Sequence, residues 1–147
     1  MSTYHRILLA TDFTEASNPA VEKGLELAKD NQAELVVAYA YEPPNSSQAA
    51  AVSPSAYDEW NENLRARAKT KIQPIVEEAR SRGVIARALV LTGEPELAIP
   101  EAARNESADL IVVGTHGHTG VSRFFLGSVA ARVISTAPCP VLAVRAA

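Results

Sequence analysis

The sequence predicts an α/β fold: a five-stranded parallel sheet, Rossmann-like, with helices on both faces. Three observations carry this. Short, nearly continuous apolar runs recur at residues 7–10, 35–41, 110–113 and 140–144, as strands buried on both sides do. Between them, apolar residues recur at helical spacing. Strand and helix alternate along the chain, which implies right-handed crossovers between parallel strands.

Ile7-Leu8-Leu9-Ala10 is the first strand, closed by Thr11-Asp12. Asn18 followed by Pro19 predicts a helix cap with proline in the first turn. Ala20, Val21, Gly24, Leu25 and Ala28 fall on one face of that helix. Leu35 to Tyr41 is the second strand. Residues 42–56 form the one long irregular stretch, broken by Pro43-Pro44 and expected to be mobile. Ala49-Ala50-Ala51 is short enough to make one helical turn within it.

Ser55 with Asp58 three residues on predicts a capping box opening a long helix. Trp60, Leu64, Ala68, Ile72, Val76 and Ala79 predict its buried stripe, with Trp60 packing the helix onto the sheet. Pro74 removes one backbone donor and predicts a kink. Gly83 after Arg80 and Arg82 stops the helix. Residues 84–91 are the third strand. Gly93-Glu94-Pro95-Glu96 opens a third helix, with acids at its positive end. Leu110 to Val113 is the fourth strand, and Val129, Ala130, Val133 and Ile134 mark the apolar face of the last helix. Pro140 to Val144 closes the chain as a strand whose leading proline suits a sheet edge.

Composition bounds the function. The 147 residues are 47% apolar and 21% charged, enough for one domain, 1–147, with its own core. Net charge is -3, which disfavours a generic nucleic-acid surface. The longest strongly apolar run falls far short of the ~20 residues a bilayer requires, and no signal-peptide pattern is seen at the N-terminus. A single cysteine, Cys139, excludes an intrachain disulfide. A cytoplasmic protein without a membrane partner is expected. From Leu110 onward there are three arginines (Arg123, Arg132, Arg145) and no Asp or Glu, which favours a local home for an anion.

The segment from Gly114 to Ser128 starts where the fourth strand ends and finishes where the last helix begins. Parallel sheets bind ligands beyond the carboxyl ends of their strands. Helix N-termini offer unpaired N–H groups to anions. Glycines let the backbone approach a phosphate, and Ser128 adds a hydroxyl. The segment carries neither a G-x-x-x-x-G-K-[ST] loop nor, after the first strand, a G-x-G-x-x-G fingerprint.

Gly114-x2-Gly117-x9-Gly127-Ser128 resembles the ATP-binding motif of the universal stress protein family. Thr11-Asp12-Phe13, Gly93-Glu94-Pro95 and Ala137-Pro138-Cys139-Pro140-Val141-Leu142 also look like that family. The resemblance covers essentially the whole chain. It implies strand order 3-2-1-4-5, as in folds of the adenine nucleotide alpha hydrolase type, a bound ATP that can carry Mg, and a homodimer through the last strand, Val141 to Arg145. It places Ala10, Thr11, Asp12 and Ala40 around the adenosine, with Asp12 on ribose hydroxyls or beside a metal. It places Gly114, Gly117, Gly127, Ser128 and Val129 on the phosphates. Two positions depart from the pattern: Ala10, where ATP binders can carry proline, and His118, where Arg or Lys is common.

Arg123 is a further candidate for neutralising phosphate. His116 and His118 form a His-x-His pair, but no further ligand has metal-site spacing, so no protein-built metal centre is expected. The favoured function is an ATP-binding regulatory or sensor module of the stress response, with nucleotide ordering loops and supporting the dimer. The alternatives are a slow ATPase or autophosphorylating enzyme at the same site, and a nucleotide-free interaction module. Gly114 to Ser128 contains no lysine and no carboxylate, so fast phosphoryl transfer is not expected there and no catalytic residue is named.

Overall fold

The computed structural model describes residues 3–116 and 126–146. Five parallel strands form one sheet: β1 (Arg6–Ala10), β2 (Glu34–Tyr41), β3 (Ala86–Thr92), β4 (Leu110–Gly114) and β5 (Val141–Val144). Their order is β3-β2-β1-β4-β5, as the family resemblance implied. Helices α1 (Asn18–Asn31), α2 (Ser46–Ala50), α3 (Pro54–Ser81), α4 (Pro95–Asn105) and α5 (Ser128–Thr136) connect them.

The two-residue period of a strand divides the core in two. Ile7, Leu9, Leu35, Val37, Leu110 and Val112 face α1 and α3, meeting Ala20, Leu25, Ala28, Ile72, Val76 and Ala79. Their neighbours Leu8, Ala10, Val36, Ala38, Ile111 and Val113 face α4 and α5, meeting Ile99, Ala102, Ala103 and Val133. Full burial of each large side chain contributes about 1.5–3 kcal/mol. Gly24 lets α1 press onto the sheet, since a Cβ there would stand 3.0 Å from Leu9 Cδ2.

Several boundaries differ from the sequence reading. Ser17, not Asn18, precedes α1, and Pro19 still falls in the first turn. Residues 42–56 carry a short helix, α2, opened by a capping box between Asn45 and Gln48. The long helix starts earlier than the Ser55–Asp58 pair implied: Ser53 caps it, accepting from the Ala56 amide at 3.2 Å, with Pro54 at its first position. The buried stripe of α3 begins only at Ala68, and Trp60, two turns earlier, is 36% exposed instead of packed on the sheet. Ile134 is likewise exposed, because a nine-residue helix buries only the stripe holding Ala130 and Val133.

The amino end of the sheet is clamped by polar contacts. The Asp109 carboxylate accepts from the amides of His5 and Arg6 at 2.8 and 3.1 Å. Arg6 and Arg87 both reach Glu34, at 3.0 and 2.9 Å, and Arg87 also pairs with Glu106. The carboxyl end is left open. Among the described residues, no helix is long and apolar enough to cross a membrane.

Candidate functional site

Strand β1 continues through α1 to β2 on one side, whereas β4 lies on its other side. The chain's connections therefore part company between β1 and β4, and parallel sheets open a crevice at such a point. Here the crevice is walled by Ala10, Thr11, Asp12 and Ser17 after β1, by Ala38, Tyr39 and Ala40 of β2, and by Val113 to His116 after β4. Pro95 and Ile99 of α4 and the residues from Gly127 to Ala130 close it.

All of the predicted site residues that are described meet there: Ala10, Thr11, Asp12, Ala40, Gly114, Gly127, Ser128 and Val129. Gly117, Arg123 and His118 lie outside the described residues.

The β1 end is a hydrogen-bonded turn. The Thr11 amide donates to the Ala38 carbonyl at 3.1 Å, the last rung between β1 and β2. Thr11 and Ser17, both buried, have hydroxyls 3.1 Å apart. Asp12 Oδ1 accepts from the Thr14 amide at 3.0 Å and from the Thr14 hydroxyl. Oδ2 has no partner among the described residues and remains available as an acceptor. Phe13, between them, has φ of 63°, a conformation costing about 1–3 kcal/mol for a bulky residue.

Along β2, alternate residues direct their main-chain groups to the same neighbour. Ala38 turns its carbonyl to β1, so Ala40 turns its amide and carbonyl the same way, past the last rung that β1 supplies. Among the described residues that leaves one donor and one acceptor without a partner beside the crevice, a pair suited to the edge of a flat heterocycle. Pro95 and Ile99 add an apolar wall.

Another wall is the start of α5. Gly127 is its N-cap, and among the described residues no side chain caps it. The first intrahelical bond is from the Ala131 amide to the Gly127 carbonyl, so the amides of Ser128, Val129 and Ala130 precede it. Among the described residues nothing accepts from these three amides. The Gly127 amide itself donates to the Thr115 carbonyl at 2.8 Å. A Cβ on Gly127 would stand 2.8 Å from that same oxygen, so the position demands glycine. Thr115 also holds the His116 ring, its Oγ1 lying 2.8 Å from Nδ1. Unpaired amides and a positive dipole end together favour an anion.

Sequence reasoning overlooked Ser17, Thr14, Thr115 and the α4 wall. The Asp12-x-Thr14 spacing is a local side-chain-to-backbone turn signal and was readable. Ser17 and Ile99 reach the crevice only through tertiary packing. The stretch from 42 to 56 contributes no crevice wall. Among the described residues no three of His, Cys, Asp and Glu gather as a metal site. Cys139 is half-buried, and burial, then the Asp109 charge, pushes its thiol up, away from thiolate reactivity.

Comparison with known proteins agrees with this architecture. A universal stress protein of Thermus aquaticus is 36% identical over 144 residues, covering 97% of this chain and 99% of its own. The universal stress protein UspA from Lactobacillus plantarum superposes with a TM-score of 0.82 at 23% identity, covering 99% of this chain and all of that one. A universal stress protein solved in complex with cAMP superposes with a TM-score of 0.70 at 26% identity, covering 99% of this chain and 100% of that one. The sequence profile of the universal stress protein family matches residues 3–145, and with these relatives it establishes that the chain belongs to that family.

Proposed function

We propose that this chain is an ATP-binding regulatory module of the universal stress protein family, with the nucleotide seated in the crevice between β1 and β4. One observation carries the reading: a helix N-terminus whose first amides have no acceptor among the described residues shares one crevice with the Asp12 carboxylate and with the main-chain edge of Ala40, likewise unpartnered among the described residues. The three features match the three parts of an adenine nucleotide. The amides of Ser128 and Val129 suit phosphates, Asp12 suits ribose hydroxyls, and Ala40 suits the adenine edge. The relative solved with cAMP supports an adenine nucleotide as the ligand class.

The magnitudes are adequate. Micromolar affinity needs about 8 kcal/mol net. Hydrogen bonds to a charged group contribute ~1.5–3 kcal/mol each. Three or four such bonds plus burial of the base reach that total after ordering costs. Gly117 and Arg123 are proposed as further phosphate ligands, and Mg, where present, would accompany the phosphates.

The residues present would bind and orient the nucleotide without attacking it. Between Gly114 and Ser128 there is no lysine and no carboxylate to clamp or activate a phosphoryl group. Turnover is expected to stay below ~1 s⁻¹, the low end for enzymes. The nucleotide is thus a signal carried by the fold, and β5 is the surface proposed to transmit it. As the last strand of the order it leaves one edge unpaired, with Leu142 exposed, and a second copy is proposed to pair there along Val141 to Arg145.

Thermal melts with ATP and GTP test the reading. At a hundred times its Kd a ligand stabilises by about 2.7 kcal/mol. ATP should raise Tm by several degrees and GTP should not. No shift with either at millimolar concentration would contradict it.

A further inference from the structure

We propose that Phe13 is a positioning residue: its anchored ring holds the turn that aims the Asp12 carboxylate into the crevice, and so sets the preference for ligands with ribose hydroxyls. The inference rests on the nucleotide reading above and specifies how the sugar is selected.

Three described non-glycine residues have positive φ: Phe13 at 63°, Gln32 at 53° and Ser107 at 54°. Gln32 and Ser107 follow the ends of α1 and α4, where a left-handed residue is an ordinary helix stop. Phe13 lies in the turn after β1, at no helix end, and carries a bulky ring. Such a conformation persists only where the surroundings over-determine it.

The surroundings do so from two sides. The Phe13 ring lies 4.6 Å from the Tyr39 ring, tilted by 45°, and Lys71 Nζ stands 5.9 Å over it. The ring also packs against the core beneath α1 and α3. On the other side, the Phe13 amide donates to Thr11 Oγ1 at 3.0 Å, and the Thr14 amide donates to Asp12 Oδ1 at 3.0 Å. Asp12 stands between these two fixings. Asp12 lines the crevice and Phe13 does not, so the ring acts on a ligand through what it holds: the Asp12 turn, and Tyr39, which shares the crevice wall and would affect both nucleotides alike. With Oδ1 engaged by Thr14, Oδ2 is the oxygen left to accept from sugar hydroxyls.

Affinities for ATP and for 2′,3′-dideoxy-ATP, measured on the wild type, F13G, F13L, F13Y and D12N, test this, with melts of each free protein. The wild type should prefer ATP roughly tenfold or more, the worth of a hydrogen bond to a charged group. D12N should abolish the preference. Glycine accepts positive φ without strain, so F13G isolates the loss of the anchor. F13G and F13L should bring the preference near unity, with dideoxy-ATP affinity held within about twofold. F13Y should restore the wild-type preference, and F13G added to D12N should cost nothing further. If F13G does not fold, F13L, which keeps apolar volume, decides. Equal weakening of both nucleotides in F13L, or an unchanged preference, would overturn the positioning role alone. A wild type that binds neither nucleotide would overturn the nucleotide reading and this inference with it.

Discussion

The Gly127 amide donates to the Thr115 carbonyl at 2.8 Å, and this bond fastens the start of α5 to the end of β4. It ties the helix N-terminus to the sheet at the point where the crevice opens. The contact also separates the two described glycines of the motif. A Cβ at Gly127 would collide with backbone at 2.8 Å, whereas at Gly114 the nearest atom, the His116 carbonyl oxygen, would be 3.5 Å away.

Gly127→Ala should therefore cost about 1–3 kcal/mol of stability, the range for overpacking, and lose ATP affinity at least about tenfold. Gly114→Ala should keep stability within about 1 kcal/mol. Its ATP affinity should still fall, because a methyl group there holds phosphate away from the main chain. Denaturant titration and calorimetry read the two effects apart.

Acid should unfasten the amino end of the sheet. The hydrogen bond from Arg87, assisted by Arg6, holds the Glu34 carboxyl below its ordinary 4.5 against the opposing effect of burial. A carboxylate with a lowered folded-state value contributes stability that is fully present above about pH 4.5 and lost as pH falls through the lowered value. Glu34→Gln should lose up to about 1 kcal/mol at pH 7. It should also unfold less steeply than wild type below pH 4.5. Melts across that range check it.

The length of α3 predicts a contrast between two large side chains on one helix. Trp60 is 36% exposed and Ile72 fully buried. Trp60 keeps most of its surface covered, so Trp60→Ala should cost about 1–2 kcal/mol, and Ile72→Ala should cost more, about 2–5 kcal/mol. Chemical denaturation of both variants decides it.

If two copies pair through β5, a charge on its exposed apolar position should separate them. Leu142→Lys is expected to shift the assembly from dimer to monomer in light scattering after gel filtration, with the monomer still folded. A wild type that is monomeric at high concentration would remove the proposed interface.

The sheet was legible because both-face apolar runs such as 35–41 allow few other placements. The place of the crevice was legible because it lies at strand ends and a helix start, which local patterns mark, whereas Ala10, Thr11, Asp12 and Ala40 were picked out by the family resemblance. Boundaries were less so. Ser53 and Ser55 are both plausible caps, and only the position of Pro54 relative to the first turn separates them. Trp60 followed the period of the stripe, yet periodicity gives a face and not the extent of what lies opposite. Phe13 belongs to the Thr11-Asp12-Phe13 match, yet nothing in the sequence marks its left-handed backbone, since positive φ in a bulky residue is set by the rings and hydroxyls around it.

The most direct measurement is a crystal structure determined with millimolar ATP. The phosphate oxygens should accept from the amides of Ser128 and Val129, the ribose should meet Asp12, and the adenine edge should meet Ala40. A crevice closed by side chains, or a nucleotide seated elsewhere with those amides turned away, would contradict the account.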